Sequence, residues 1–268
     1  MELYRITPGS IVDLSRTNPG EKVAFDHLTK SSSKKMLATM NRELSELQRL
    51  LWSDGDQALL VVLQAMDTGG KDGTIRKVFS GVNPQGVDVY GFGVPGPHEA
   101  AHDYLWRIHM RTPAKGRIGV FNRSHYEDVL VVRVNDLVPE SVWSKRYKQI
   151  RDFEEMLCDE GTTIVKIMLN VSKEEQKERL QARVDDPSKN YKFDPSDLSS
   201  REKWEDYMVA YDDAISLTST VDAPWYIVPA DRKWYRNLVV SQILIDTIRG
   251  MDLAYPEPEF DLAHIAIE

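Results

Sequence analysis

Residues 58–63 (ALLVVL) form an unbroken apolar run whose length and β-branched content predict a parallel strand buried on both faces. A tight polar loop follows, Met66-Asp67-Thr68-Gly69-Gly70-Lys71-Asp72-Gly73. Thr74, Ile75, Val78 and Phe79 then recur at helical spacing, so a helix begins near Gly70 or Lys71. Upstream, three serines at 31–33 cap a helix over 34–52, with Met36, Met40, Leu44, Leu47 and Leu51 on one face and Asp54-Gly55 at its end. Downstream, apolar runs predict strands over 87–92, 117–121, 162–169 and 224–229. Between and after them, helices are predicted over 98–110, from Val138-Pro139-Glu140 to 159, from Ser172 to 184, from Ser199 or Ser200 to 217, and over 231–249.

Strands alternating with helices across short breaks imply βαβ units, a parallel sheet and an α/β class. Residues 1–30, interrupted by Pro8, Gly9, Asn18, Pro19 and Gly20, read as an arm over the body. The polar stretch 184–198 holds two prolines and reads as a lid inserted into one domain spanning 1–268, in which arm and first helix occupy 1–55.

The 268 residues are 41% hydrophobic and 28% charged, ordinary for a globular chain with a large core. No apolar run reaches the length of a membrane span, and MELYRITPGS lacks the basic and apolar regions of a secretory leader. The lone Cys158 rules out an intrachain disulfide and suits a reducing, cytoplasmic location. A net charge of −8 argues against nucleic-acid or anionic-membrane partners. Any polyanionic substrate must therefore meet cations gathered locally.

Strand, glycine loop, lysine and helix together make a phosphate cradle. Backbone N–H groups and the helix N-terminus face the anion, and Lys71 adds a full charge. Thr68, Gly69, Gly70, Lys71, Asp72, Gly73 and Thr74 are its candidate phosphate-binding residues. Against the pattern GxxxxGK[ST], Ala65 replaces the first glycine and Asp72 the metal-binding hydroxyl. Asp67 and Asp72 are then candidates for holding Mg²⁺ or orienting the acceptor. A glycine turn without a ligand is the plain alternative.

The third strand runs into Asn122-Arg123-Ser124-His125-Tyr126-Glu127-Asp128. Arg123 stands where it could brace phosphate oxygens bidentately, or lie on the surface. Asn122 carries no charge, which passes any metal duty to Asp67 or Glu127, while Asp128 suits a helix N-terminus. Arg107 and Arg111 either face an anion groove or are solvated helix charges. Arg179, Arg183, Lys189 and Lys192 flank the lid, where basic residues can close over phosphates and exclude water. His98, Glu99 and His102 spell HExxH, but Pro97 sets His98 at the helix start and only Glu127 is available as a downstream ligand, so zinc hydrolysis is not favoured.

Jointly, AMDTGGKDGTI, HDYLWR, GVFNRSHYEDVLVVRV, NYKFDPSDL and VPADRKWYRN resemble the polyphosphate kinase 2 family, over about 58–249 in the family's order and spacing. The resemblance implies a three-layer α/β/α P-loop kinase fold with a five-stranded parallel sheet and a helical lid. It implies Mg²⁺-dependent transfer (Mn²⁺ as a substitute) of a terminal phosphoryl group between inorganic polyphosphate and an adenine or guanine nucleotide. By the same resemblance Asp67 orients metal or acceptor, Lys71 holds phosphates, Arg123 braces the transferring group, and Arg183 and Lys192 act from the lid. Many family members have Asp where this chain has Asn122. Glu127 is similar to the subclass that phosphorylates both AMP and ADP. A basic track for polyphosphate is expected at Arg76 and Lys77 and at Arg107, Arg111, Lys115 and Arg117, and a homo-oligomer is the expected assembly. An ATP-dependent nucleoside monophosphate kinase and a non-catalytic nucleotide-binding module are the alternatives. Retention of Lys71, Asp67 and the lid cations opposes the latter.

Overall fold

The computed structural model describes residues 1–260, 265 and 267. Strands β1 (Ala58–Gln64), β2 (Val87–Gly91), β3 (Ile118–Asn122), β4 (Thr162–Asn170) and β5 (Trp225–Pro229) form one sheet in the order β2-β3-β1-β4-β5. Every pairing is parallel. All seven residues of β1 are buried, as a central strand covered on both faces requires. Edge strand β2 is half-buried to exposed throughout.

The helices are α1 (Ser33–Asp54), α2 (Lys71–Val78), α3 (Pro97–Ala100), α4 (Trp106–His109), α5 (Val131–Val134), α6 (Glu140–Asp159), α7 (Lys173–Asp185), α8 (Ser196–Glu202), α9 (Trp204–Thr218) and α10 (Lys233–Arg249). Each parallel pairing requires a crossover connection, and the helices supply most of these. α1 packs along α10, which also touches α2; α6 lies against β4 and α9. The arm runs beside β5: Ile6 N–H donates to the Trp225 carbonyl at 2.8 Å, and Arg5 bridges Tyr226 antiparallel. The outer edge of β5 is thereby partly covered.

Two predicted helices are broken. The 98–110 segment forms α3 and α4 because Asp103 Oδ1 accepts from the Leu105 and Trp106 N–H groups, both at 3.0 Å, and starts a new turn. An Asp side chain competing for backbone donors ends one helix and caps the next. As a result Arg107 and Ile108 are buried, while Leu105 and Trp106 are only half-buried. The helix expected from 199 or 200 starts earlier, at Ser196, and divides at Lys203 into α8 and α9.

Beneath the β3 exit loop lies a buried polar network. Lys166 Nζ on β4 donates to Glu154 Oε2 (2.5 Å), the Thr218 carbonyl (2.7 Å) and the Tyr126 hydroxyl (3.1 Å). Glu154 Oε1 accepts from the Tyr126 hydroxyl (2.9 Å) and pairs with His125 Nε2 (3.1 Å). Burial alone would raise the Glu154 pKa, but the Lys166 ammonium and His125 outweigh it and hold the carboxyl below its ordinary range.

Candidate active site

Parallel strands all deliver their following loops to one end of the sheet, and ligands of open α/β folds bind there. Leu63 of β1 pairs with Asn122 of β3, so the loops 65–73 and 123–128 emerge side by side. Arg123 N–H donates back to the Leu63 carbonyl at 3.1 Å. Gly70, the N-cap of α2, has φ +107°, a conformation L side chains rarely adopt. Thr68 (φ +61°) and Arg123 (φ +62°) are left-handed without being glycine, which stores about 1–2 kcal/mol at each. Such strain is typical of functional loops.

Charges alternate across the junction of the two loops. Asp67 Oδ1 accepts from Arg123 Nη2 at 2.6 Å, and Asp72 Oδ1 accepts from Asn122 Nδ2 at 2.6 Å. Lys71 Nζ donates to the Ala65 carbonyl at 2.7 Å. Burial, with Arg123 nearby, lowers the Lys71 pKa against the pull of Asp67, Glu127 and Asp72. Burial raises the Glu127 pKa, and Arg123 and Lys71 oppose the rise. Burial likewise disfavours the Arg123 charge, yet Glu127 and Asp67 more than offset it. Asp67, Lys71, Arg123 and Glu127 thus share one electrostatic site, with two cations balancing two carboxylates.

The lid residues stand close by. Arg183 Nη1 donates to the Lys192 carbonyl (2.8 Å) and to Asp197 Oδ2 (3.0 Å), so the lid's own frame holds it. Burial, then the nearby Asp67 carboxylate, raises the Asp197 pKa. Lys192 is exposed, its ammonium 5.5 Å from the centre of the Tyr191 ring.

The expected polyphosphate track does not assemble as one surface. Arg76 and Lys77 are exposed on α2, and Arg111 is exposed with its guanidinium 5.0 Å over the Tyr90 ring. Arg107 is buried, donating to the Gly93 carbonyl (2.9 Å) and Glu99 (3.3 Å), so it is not one of the exposed cations. Lys115 precedes β3 beside Gly116, whose N–H donates to the Gln57 carbonyl just before β1. It therefore sits at the far end of the sheet, a strand length of roughly 16 Å from the glycine loop. Arg117, at that same end, clasps Asp88 with Nε and Nη2.

The HExxH residues form a cap rather than a metal frame. Glu99 Oε2 accepts from the Gly96 N–H (3.0 Å) and from Arg107, and the His102 ring stacks on Trp106 at 4.0 Å.

A family model for polyphosphate kinase 2 matches residues 27–256. The chain belongs to the polyphosphate kinase 2 family. It is 54% identical over 268 residues, all of both chains, to an AMP/ADP-polyphosphate phosphotransferase of Meiothermus ruber. To an ADP-polyphosphate phosphotransferase of Rhodopseudomonas palustris it is 45% identical, over 95% of this chain and 91% of that one. The crystal structure of polyphosphate kinase 2 from Arthrobacter aurescens TC1 superposes with a TM-score of 0.93 at 44% identity, covering 98% of this chain and 93% of that one. The all-parallel sheet and helical layers are thus those of this family.

Two residues brace the loop in a way the sequence does not suggest. Arg179 of α7, grouped there with the lid cations, donates from Nη1 to the Thr68 and Gly69 carbonyls, both at 3.0 Å. Its Nη2 reaches the Ala230 carbonyl (2.6 Å) and the Asp231 carbonyl (3.0 Å). Arg236 of α10 donates from Nη1 to the same Gly69 carbonyl at 3.2 Å. A signal existed for Arg236: it interrupts the buried face Tyr235, Leu238, Val239 on α10. A buried arginine in such a setting needs a polar task.

Proposed function

We propose that this chain transfers the terminal phosphoryl group of inorganic polyphosphate reversibly to AMP and ADP, with Mg²⁺ as cofactor. The observation that carries this reading is the meeting of Asp67, Lys71, Arg123 and Glu127 where two strand-exit loops adjoin. Phosphoryl transfer needs little covalent help from a protein; it needs in-line positioning and neutralised charge. Lys71 exchanges the Ala65 carbonyl for a phosphate oxygen, and the first-turn N–H groups of α2 bind beside it. Arg123 braces the transferring group, held in place by Asp67. Arg183 and Lys192 close with the lid and keep water out, so that the nucleotide rather than water receives the phosphoryl group.

The donor set fits a hard, oxygen-seeking cation. Mg²⁺ takes one or two carboxylates and fills its remaining positions with phosphate and water. Asp67 would supply a carboxylate, with Glu127 beside it; Mn²⁺ accepts the same ligands. Bound there, the ion would neutralise charge on the phosphate oxygens. Among the described residues no three His, Cys, Asp or Glu side chains come together as a metal cage, in keeping with an ion held largely by substrate.

Acceptance of both AMP and ADP is supported by the acid at Glu127 and by the similarity to the AMP/ADP-polyphosphate phosphotransferase of Meiothermus ruber. We take guanine nucleotides as further acceptors, residues 1–268 as one kinase domain with its lid at 184–198, a homo-oligomer as the assembly and the cytoplasm as the location. No helix among the described residues is long and apolar enough to cross a membrane. The test is to incubate the protein with Mg²⁺, polyphosphate and either AMP or ADP, without ATP, and separate the nucleotides. ATP from both acceptors, lost in Lys71→Ala, is the expected result. ATP from ADP alone would remove the AMP half, and no polyphosphate-dependent product would refute the donor and favour the ATP-dependent monophosphate kinase.

A further inference from the structure

Arg236 is 2% exposed, and no carboxylate lies within ion-pair distance of it among the described residues. Its Nε (3.3 Å) and Nη2 (3.0 Å) donate to Asn237 Oδ1, and Nη1 to the Gly69 carbonyl. The guanidinium lies against the phosphate loop. A Cβ on Gly70 would fall 1.8 Å from Arg236 Nη1, and one on Gly73 would lie 3.5 Å from Nη2. The loop has room at this turn for a guanidinium because it has glycine there.

The nearest strong charge has the same sign. Arg179 reaches the Gly69 carbonyl as well, so two guanidiniums converge on one oxygen. Burial first, then Arg179, pulls the Arg236 pKa down to about 9. Arg179 has its own counter-ion in Glu175, 2.7 Å from Nε, whereas Arg236 has none among the described residues. An uncompensated buried cation destabilises a fold unless an anion completes it. The loop that adjoins it, 65–74, is the candidate phosphate cradle.

Peptide geometry supplies the second half of the argument. In a planar trans peptide the carbonyl and the following N–H point in opposite directions. Drawing the Gly69 carbonyl down onto Arg179 and Arg236 therefore turns the Gly70 N–H away from them. Thr74 N–H already returns to the Gly70 carbonyl at 2.9 Å, which fixes the next peptide as the first turn of α2.

We propose that Arg236 is a positioning residue of the phosphate loop, whose unpaired charge is completed by the bound phosphate chain and whose hydrogen bond aims the Gly70 N–H at it. The inference rests on the loop 65–74 being the phosphate site. It ties anion binding to the stability of the fold: the apo-protein bears an unpaired cation, and the liganded protein does not.

The experiment compares Arg236→Lys with Arg236→Gln in the full chain, using tripolyphosphate with Mg²⁺ as the probe. Calorimetry gives the dissociation constant and thermal unfolding the melting temperature with and without ligand. Both variants shorten the side chain and lose the forked donor, but only Gln loses the charge. Arg236→Gln should weaken tripolyphosphate binding about 10-fold or more, as expected for a lost charge-assisted interaction. Its apo melting temperature should equal or exceed that of Arg236→Lys, and Arg236→Lys should restore most of the binding. Wild-type affinity in Arg236→Gln would overturn the proposal, as would equal losses of binding in both variants with equally lowered apo melting temperatures. If the wild type itself failed to bind tripolyphosphate, the phosphate-site reading would fall and this inference with it, an outcome distinct from the other two.

Discussion

Replacing Lys166 by methionine tests how far the β3 exit loop depends on the buried network beneath it. Lys166 is fully buried and gives up three hydrogen bonds in the variant, to Glu154, Thr218 and Tyr126. Methionine fills much of the volume, so the main loss is electrostatic: Glu154, 1% exposed, keeps a negative charge without its ammonium. Breaking a buried pair from one side typically costs about 3–5 kcal/mol. For a chain of this size that corresponds to a fall in melting temperature of roughly 6–20 °C. Adding Glu154→Gln removes the orphaned charge while preserving an acceptor for Tyr126, and should recover at least half of the loss. Circular dichroism melts at pH 7 read both values. Turnover measured well below the lower melting temperature should also fall in the single variant, since His125 and Tyr126 lie between Arg123 and Glu127 in the chain. A single variant within about 1 kcal/mol of wild type, or a double variant no better than the single, would refute the reasoning.

Other perturbations have distinct signatures. Lys71→Ala and Asp67→Asn should each lower turnover by about 100-fold or more while the fold persists, as loss of preorganised charge stabilisation does; steady-state kinetics beside circular dichroism checks this. Burial lifts the folded Glu127 pKa above its unfolded value of 4.5, so the folded state retains the proton longer. Its contribution to stability is present below pH 4.5 and disappears as pH rises through the folded pKa. Glu127→Gln should consequently raise the apo melting temperature at pH 7–8 and leave it unchanged at pH 4. Lys115→Glu, at the remote end of the sheet, should leave the Michaelis constant for long polyphosphate unchanged, whereas Arg76→Glu should raise it several-fold if α2 meets the polymer. Asp103→Ala should lower stability by about 1 kcal/mol through loss of the α4 cap, measurable by urea unfolding.

How much of this was legible in the chain depended on the range over which each feature is determined. β1 is buried along its whole length, so ALLVVL read directly as a central strand, and the polar loop behind it read as a phosphate cradle. The break between α3 and α4 depends on one Asp side chain turning back on the backbone, and apolar periodicity is blind to that. Lys115 and Arg117 went astray for a geometric reason. Residues just before and just after a strand are close in sequence but reach opposite ends of the sheet, so the cations around β3 never share a surface with Arg123. Arg107 reads from sequence as a groove or solvated charge because its partners, Gly93 and Glu99, approach only when the chain folds back. Arg236 and Arg179 were visible as charges but not as braces, because their acceptor is a backbone carbonyl more than a hundred residues away.

That separation bears on how the protein matures during synthesis. The glycine loop 65–73 is made within the first third of the chain, but Arg179 lies 110 residues beyond Gly69 and Arg236 167 residues beyond it. A nascent chain therefore exposes its glycine loop long before either guanidinium has been translated, and β1 must wait for β3 and β4 on either side. On the role proposed for Arg236, ligand capture at full strength awaits the docking of α10, near the end of translation. Tight phosphate retention on a stalled ribosome would then report a nearly finished molecule, and truncation before residue 236 would yield a chain that owns the loop but lacks the guanidinium proposed to aim it.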